Sequence, residues 1–355
     1  MEPLPGAVID NLSPLWRRSW HAVATSEEVT ASPLQAWLLG EPWCLARVGR
    51  EVVAFEDRCP HRLAPLSAGR ICGDVLECGY HGWRFAASGR CTAVPALGEG
   101  AVLPPRAVAT RPWAVAERYG LVWLAPDAPV CDLLGFDEWD DPRFTTVRST
   151  LVRTPAGAAQ LVDNFLDAAH FPFVHASTFG VEESSQVADR GIVRNGCNVE
   201  TTFDTWYRNF DDPLVATGDH DAVQRQVLLK RTGVSLSVYL RLEFPVTGAT
   251  IGILFTCTPE TQETTRVYKL LARDDIGDDA GRLRAFVADE DRILAEDLAI
   301  LELYRHRSVP LDRRVEVHTR ADRLSLAWRS LLAEWATPLE VGRSDEVAEA
   351  VDARA

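Results

Sequence analysis

The sequence of 355 residues lacks the marks of several common protein classes. It has no Gly-x-Gly-x-x-Gly loop, which excludes a dinucleotide-binding loop of that type. No apolar run approaches the roughly 18–20 residues that cross a bilayer. The N-terminal residues lack the basic segment and the apolar segment of a secretory signal. We therefore expect a soluble, cytoplasmic protein.

The sequence also has fewer basic than acidic residues. Lys and Arg together number 37 against 51 Asp and Glu, which gives a formal net charge of −14. Because an acidic surface repels phosphate backbones and anionic lipids, we expect neither nucleic acid nor a membrane as a partner.

The length and composition suit two folded domains. Hydrophobic residues make up 46% of the chain and charged residues 25%, which is typical of globular proteins. Domains average about 150 residues, so two are expected. Pattern changes along the chain predict an N-terminal segment over 1–29, an all-β domain over 30–127, a linker over 128–144, a second domain over 145–338 and a polar tail over 339–355.

The second domain has the pattern of an α+β fold. Apolar and polar residues alternate strictly over 234–244, which predicts an antiparallel strand with one solvated face. Helical patterns over 157–170 and 281–306 bracket this run of strands, and 320–335 predicts a further helix.

Cysteine and histidine cluster in the first domain. Four of the eight cysteines lie between positions 59 and 91. Cys59-x-His61 is followed, after sixteen residues, by Cys78-x-x-His81. Two thiolates and two imidazoles hold either a tetrahedral zinc or a Rieske-type [2Fe–2S] cluster, in which the thiolates bind one iron and the imidazoles the other. The single residue between Cys59 and His61 is tighter than zinc ribbons use, which favours the cluster.

The remaining cysteines carry no such pattern. Because a reducing compartment disfavours disulfides, we expect no disulfide framework. Cys72 and Cys91 are expected to be small buried residues rather than ligands.

A second polar group follows in the C-terminal half. Asn164, Asp167 and His170 are spaced by three and share one face of a helix, which Pro172 ends. The chain can then return His175 beside His170. Two imidazoles and one carboxylate with open coordination positions bind non-haem Fe(II). His170 and His175 are therefore candidate ligands, and Asn164 and Asp167 candidate catalytic residues.

The third ligand must come from elsewhere. An inward carboxylate on the long predicted helix would be costly unless it bound something. Glu290 and Asp291 lie about equally far from the apolar stripe of this helix, so periodicity leaves both open. Asp289, Glu296 and Asp297 fit a solvated helix face.

Together the two motifs resemble the Rieske non-haem iron oxygenases, in the branch of vanillate and methylxanthine demethylases. The loops 59–66 and 78–83 lack the additional cysteines of respiratory Rieske proteins. The resemblance implies a Rieske domain followed by a helix-grip-like, antiparallel-sheet catalytic domain. It also implies that Asp291 completes the Fe(II) site. In a head-to-tail homotrimer, Asp167 would connect His81 of one chain to His170 of the next.

The resemblance further implies the reaction. The chain would be the oxygenase component of a monooxygenase that hydroxylates, or O- or N-demethylates, a small aromatic or heterocyclic compound with O2. Electrons would come from NAD(P)H only indirectly, through a ferredoxin or flavin reductase. Apolar and aromatic residues over 203–210, 234–244 and 251–255 are expected to line the substrate pocket.

Three alternatives stay open at this point. A ring cis-dihydroxylating dioxygenase α subunit shares the same architecture. A Rieske electron-transfer protein would leave the second domain unexplained. A zinc-stabilised binding module would use the same four ligands without redox chemistry.

Overall fold

The computed structural model describes residues 6–187, 191–209 and 211–341. The chain divides into two compact units, each described separately below. The N-terminal unit comprises Trp16–Pro129 with Thr258–Gln262, and the C-terminal unit comprises the rest. None of the helices in the described ranges is long and apolar enough to span a bilayer.

The strands, in chain order, are β1 (Val8–Ile9), β2 (His21–Thr25), β3 (Leu34–Leu38), β4 (Glu41–Val48), β5 (Glu51–Glu56), β6 (Arg70–Cys72), β7 (Val75–Glu77), β8 (Arg84–Phe85), β9 (Cys91–Ala93), β10 (Ala114–Arg118), β11 (Leu121–Ala125), β12 (Thr145–Arg148), β13 (Val152–Thr154), β14 (Val193–Asn195), β15 (Asn198–Arg208), β16 (Val223–Gly233), β17 (Ser237–Phe244), β18 (Ala249–Thr261), β19 (Thr264–Arg273) and β20 (Val309–Pro310). The α-helices are α1 (Ala158–Leu166), α2 (Phe171–Val174), α3 (Pro213–Thr217), α4 (Ala280–Leu301) and α5 (Arg323–Val341).

The N-terminal unit is all-β, as predicted. It contains the sheets β3-β4-β5, β6-β7-β8-β9 and β10-β11-β2. Because β2 pairs with β11, the unit begins at Trp16 rather than at residue 30. Two loops, one after β5 and one after β7, carry the Cys/His motif.

The predicted linker over 128–144 largely belongs to the C-terminal unit, which begins again at Val130. Glu138 is buried on the outer face of the sheet. It accepts hydrogen bonds from the Tyr239 hydroxyl at 2.6 Å and from the Arg241 guanidinium at 2.5 Å. These bonds fix the segment in place.

The structure corrects one prediction about the cysteines. Cys131 and Cys197 are joined in a disulfide, which the expectation of reduced cysteines did not include. Both residues lie in the C-terminal unit. Cys72 and Cys91 are half-buried and lie outside the two Cys/His loops.

The C-terminal unit is built on a long antiparallel sheet in the order β12-β19-β18-β17-β16-β15-β14, with β13 also paired to β19. The sheet and its flanking helices confirm the α+β prediction. The alternating segment over 234–244 contains both the end of a hairpin connection and β17, because the chain turns between Gly233 and Ser237. Residues 342–355, most of the predicted polar tail, lie outside the described residues.

The predicted helix over 157–170 is interrupted. α1 ends at Leu166, because Asp167 has an extended backbone with φ −69° and ψ 151°. The Asp167 carboxylate accepts the backbone N–H groups of Ala169 and His170, each at 3.0 Å, and so caps the next turn. The buried Lys230 ammonium donates to the carbonyl oxygens of Phe165 at 2.8 Å and Asp167 at 2.7 Å. Because the helix breaks here, the side chains of Asp167 and His170 lie next to each other.

A buried ion pair holds α4 against β19. The Lys269 ammonium lies 3.1 Å from the Glu290 carboxylate and also donates to the Glu290 carbonyl oxygen. The Lys269 side chain is 3% exposed and the Glu290 side chain 12%. Removing one partner of such a pair leaves the other charge buried and uncompensated.

We therefore expect Lys269→Met to lower the free energy of unfolding of the C-terminal unit by about 3 kcal/mol. Adding Glu290→Leu should restore at least half of this loss. Arg292→Met, which breaks an exposed pair with Asp289 on the same helix, should cost less than about 1 kcal/mol. Denaturant unfolding followed by fluorescence measures all three, and equal costs for both single variants would contradict the expectation.

Candidate metal centres and active site

Backbone hydrogen bonds close the first Cys/His loop. The Cys59 N–H donates to the Ala64 carbonyl at 2.8 Å, and the Leu63 N–H donates to the Cys59 carbonyl at 2.9 Å. Leu63 takes the left-handed φ of 59° that this tight turn requires. The buried Asp57 carboxylate accepts the Ser67 N–H at 2.7 Å and the Ser67 hydroxyl at 2.6 Å. The loop is therefore shaped by the chain itself.

The second loop is built in the same way and packs on the first. The Cys78 N–H donates to the Trp83 carbonyl at 2.8 Å, and the Gly82 N–H donates to the Cys78 carbonyl at 3.0 Å. A Cβ at Gly79 would lie 2.6 Å from the Ala68 carbonyl oxygen, so only glycine allows this approach. The close contact of the two loops brings their ligands together.

The four predicted ligands meet as two pairs. Cys59 and Cys78 are each 2% exposed and their thiols contact one another. Burial raises the pKa of Cys59 to about 11. The His61 and His81 rings lie 4.5 Å apart between centroids, and Trp83 stacks on His61 at 4.6 Å. His61 Nδ1 is buried and has no hydrogen-bond partner among the described residues. Paired thiols, paired rings and an orphaned ring nitrogen fit a Rieske cluster.

A second cluster of ligand atoms lies in the C-terminal unit. His170 Nε2 and His175 Nε2 are 3.2 Å apart. Asp297 Oδ1 lies 3.4 Å from the first and 3.3 Å from the second. Among the described residues, this is the one group of three such side chains whose ligand atoms could hold a single metal ion.

Carboxylates fix the orientation of both rings. His170 Nδ1 lies 2.9 Å from the Asp167 carboxylate, and His175 Nδ1 lies 2.8 Å from the Glu296 carboxylate. Because each Nδ1–H is donated outward, both Nε2 lone pairs point at the centre of the triangle. The Asn164 amide donates to Asp297 Oδ1 at 2.9 Å.

The charges of the site agree with a cation at its centre. Burial opposes ionisation of Asp297, but the two neighbouring imidazoles and the Asn164 amide hold its pKa well below the ordinary range. The pKa of Asp167 is likewise lowered to about 2 against burial, by His170 and by the Ala169 N–H. The pKa of Glu296 is also lowered against the effect of burial, by hydrogen bonds from Ser177, His175 and Thr178. Two nitrogen lone pairs and a carboxylate would otherwise repel one another across about 3 Å.

The carboxylate of this triangle corrects the prediction of Asp291. Asp291 lies at Thr150, accepting its N–H at 3.1 Å and its hydroxyl at 2.6 Å. Its alternative, Glu290, is bound by Lys269. Asp297 and Glu296, which were assigned to a solvated face, are the residues that contact the imidazoles.

The reason lies in the buried stripe of α4. Its buried residues are Phe286, Glu290, Leu294, Asp297 and Leu301. The apolar stripe predicted from the sequence instead consists of Leu283, Val287, Leu294, Leu298 and Leu301. A stripe drawn through Phe286, Leu294 and Leu301 includes Asp297, and this signal was present in the sequence.

The three residues of the triangle line a cavity of about 1040 Å³. Strands β16, β17 and β18 line one wall, and α4 with Phe286 and Ile293 lines another. Much of the predicted lining is observed, including Tyr207, Phe244 and Ile251, whereas Phe210 lies outside the described residues. Arg241 is not part of this lining and donates to the buried Glu138 carboxylate.

Comparison with known proteins agrees with both sites. The Rieske [2Fe-2S] domain family matches residues 19–111, and the vanillate O-demethylase oxygenase C-terminal domain family matches residues 155–337. Methylxanthine N1-demethylase NdmA of Pseudomonas putida is 29% identical over 340 residues, which cover 92% of this chain and 91% of that protein. Methylxanthine N3-demethylase NdmB of the same organism is 26% identical, with the same coverage.

A solved structure extends the similarity to the whole fold. The structure of Pseudomonas putida CBB5 NdmA with caffeine superposes with a TM-score of 0.80 at 27% identity. The alignment covers 94% of each chain. With its Rieske domain, its His-His-Asp candidate for a mononuclear iron site and the matching C-terminal domain, this chain belongs to the Rieske non-haem iron oxygenases, as an oxygenase component in the branch of the methylxanthine and vanillate demethylases.

Proposed function

We propose that this oxygenase component hydroxylates, and thereby demethylates, a small aromatic or heterocyclic compound that carries an O- or N-methyl group. One observation carries the proposal: His170, His175 and Asp297, which form the triangle, line a large, mainly apolar cavity. The demethylases among its relatives support the choice of reaction.

In this proposal Cys59, His61, Cys78 and His81 hold the [2Fe–2S] cluster. Asp297 replaces Asp291 in the ligand set of the mononuclear Fe(II), beside His170 and His175. The bound iron supplies the activation of O2 next to the substrate. NAD(P)H acts only through a separate ferredoxin or flavin reductase.

The chain's own residues prepare the site. Asp167 and Glu296 hold the two imidazoles as neutral ligands by accepting their Nδ1–H groups. Asn164 fixes the Asp297 carboxylate by donating to one of its oxygens. Leu228, Leu240 and similar residues exclude water and accept a flat apolar ring.

The proposed reaction balances. The methyl compound, O2, two electrons and two protons give the demethylated compound, formaldehyde and water. One C–H bond of the methyl group becomes C–OH, and the resulting hemiaminal or hemiacetal breaks its C–N or C–O bond. One oxygen atom leaves in formaldehyde and the other in water.

We also propose that the working unit is a head-to-tail homotrimer, in which Asp167 connects His170 to His81 of a neighbouring chain. The Asp167 side chain is 27% exposed although it already binds His170, so a second imidazole can reach it. It borders a surface cavity of about 350 Å³ that the exposed residues Tyr304 and Val317 also line.

The two Cys/His loops also present exposed apolar side chains, which could pack against those near Asp167 of a neighbouring chain. Leu63 and Tyr80, in the two Cys/His loops, are 67% and 66% exposed. Exposed apolar side chains of this size, grouped around a functional site, are typical of protein interfaces. A contact between copies would bury them and would place one chain's cluster beside the next chain's Asp167.

The demethylation proposal predicts formaldehyde. In single turnovers of chemically reduced protein with a panel of methoxylated and N-methylated aromatics, we expect at least one compound to give one formaldehyde for each demethylated product. His170→Ala should abolish this product while leaving the visible spectrum of the cluster unchanged. A cis-diol product without formaldehyde would instead identify a ring dihydroxylase, and no substrate-dependent product from any compound would contradict an aromatic substrate.

The ligand assignment predicts different results for two aspartates on one helix. Asp297→Ala should reduce bound iron from about three to about two atoms per chain, because the cluster keeps its two. Asp291→Ala should keep all three and lose only the hydrogen bonds to Thr150. Metal analysis with the cluster spectrum as internal reference checks both, and the opposite pattern would restore Asp291 as the ligand.

The bridging proposal predicts an effect on electron transfer alone. Asp167→Asn should keep both metal sites filled and the cluster reducible, but should slow cluster re-oxidation by substrate and O2 by about 100-fold or more. Glu296→Gln, the matched change at the other imidazole, should have a smaller effect because Glu296 has no part in the proposed bridge. Stopped-flow mixing measures the rates. Re-oxidation of the Asp167 variant at the wild-type rate would refute the bridge.

A further inference from the structure

Strand register defines the wall of the cavity. On β16, alternate residues face inward, and Gln226, Leu228 and Lys230 all line the cavity. Leu228 pairs with Leu242 on β17, and Lys230 pairs with Leu240. Both partners also line the cavity. The part of this wall formed by Leu228, Leu240 and Leu242 is therefore hydrocarbon, whereas Gln226 itself pairs with Thr205 on β15.

Gln226 presents an unpaired polar group to the cavity. The residue is 4% exposed, and its side-chain amide makes no hydrogen bond with any described residue. Its neighbour Gln224, two residues earlier on the same face, is bound by Asn209 and Asp212. Neither amide atom of Gln226 is among the fully buried atoms without a partner, so both are accessible from the cavity. A polar group that enters the cavity can therefore pair with this amide.

The cations of the cavity, by contrast, are already engaged. Lys230 donates to two backbone carbonyls beside the metal triangle. Arg273 and Arg282 bind the Asp275 carboxylate, and Arg292 binds Asp289. The lining contains six carboxylates against five Lys and Arg side chains, so it offers no excess positive charge to an anion.

Gln226 and the metal triangle line the same cavity. Along β16, Gln226 lies four residues from Lys230, a backbone rise of about 13 Å at 3.3 Å per residue. The Lys230 ammonium contacts the backbone at Phe165 and Asp167, next to His170. One compound can therefore place its methyl group at the triangle and a polar group at Gln226.

We propose that Gln226 determines substrate specificity by donating or accepting a hydrogen bond with a neutral polar group, such as an amide, of the aromatic or heterocyclic substrate. Carboxylate and sulfonate compounds are disfavoured. This inference rests on the proposed function for the position of the reacting methyl group, and it adds the chemical class of the substrate.

Three probes with one bicyclic frame test the inference. They are 6-methoxy-2-naphthamide, 6-methoxy-2-naphthoate and 2-methoxynaphthalene, which differ only in a neutral, an anionic or an absent polar group. Calorimetry measures their binding to the resting iron-loaded protein, with no reductant present. We expect the naphthamide to bind at least about 10-fold more tightly than either of the other two.

The variant Gln226→Leu keeps the volume and removes the amide. We expect it to weaken naphthamide binding by about 10–100-fold and to leave 2-methoxynaphthalene within about 3-fold. Leu242→Met, on the same wall, is the matched control and should change both probes alike. Gln226→Asn, which keeps a shorter amide, should fall between wild type and Gln226→Leu for the naphthamide.

The outcomes separate the two proposals. The inference is overturned if the naphthoate binds as tightly as the naphthamide, if Gln226→Leu weakens all probes equally, or if neither neutral probe binds. Failure of the proposed function has another sign: the naphthamide binds, but single turnovers yield no formaldehyde. Selective loss of naphthamide binding in Gln226→Leu supports the inference in either case.

Discussion

Two imidazole nitrogens and a carboxylate oxygen, held within 3.4 Å of one another, form the interaction on which the functional site depends. Such an arrangement is repulsive by itself, so the surrounding structure must maintain it. Asp167 and Glu296 do so from outside, by taking the Nδ1–H groups of the two rings. Their effect is to direct both lone pairs toward one point, where a cation removes the repulsion.

The two lysines of the chain stabilise this arrangement through buried contacts. Lys230 and Lys269 are both buried, and each donates to backbone carbonyl oxygens. Lys230 satisfies carbonyls at the break between α1 and α2, where the chain must turn to present Asp167 and His170. Lys269 pairs with Glu290 and holds α4, which delivers Asp297. The buried charges thus position the two elements that meet at the triangle.

Much of this protein could be predicted from sequence, because short-range spacing carries most of the information. The Cys59, His61, Cys78 and His81 motif lies on two self-closing loops, and His170 and His175 are five residues apart. Asp297 was missed because it is more than a hundred residues away and belongs to a helix rich in carboxylates. The choice of the buried stripe decides which carboxylate turns to the imidazoles, and the stripe through Phe286, Leu294 and Leu301 is the one that includes Asp297.

The two compact units begin and end at other residues than the predicted domains for a related reason. β2 pairs with β11, far along the chain, and Glu138 binds the outer face of β17, so neither contact leaves a local signal.

The central claim is that His170, His175 and Asp297 hold a mononuclear iron. Anomalous diffraction at the iron edge, on crystals of iron-loaded protein, tests it most directly. The account predicts a peak within coordination distance of all three side chains, and iron bound at Asp291, or none near the two imidazoles, would contradict it.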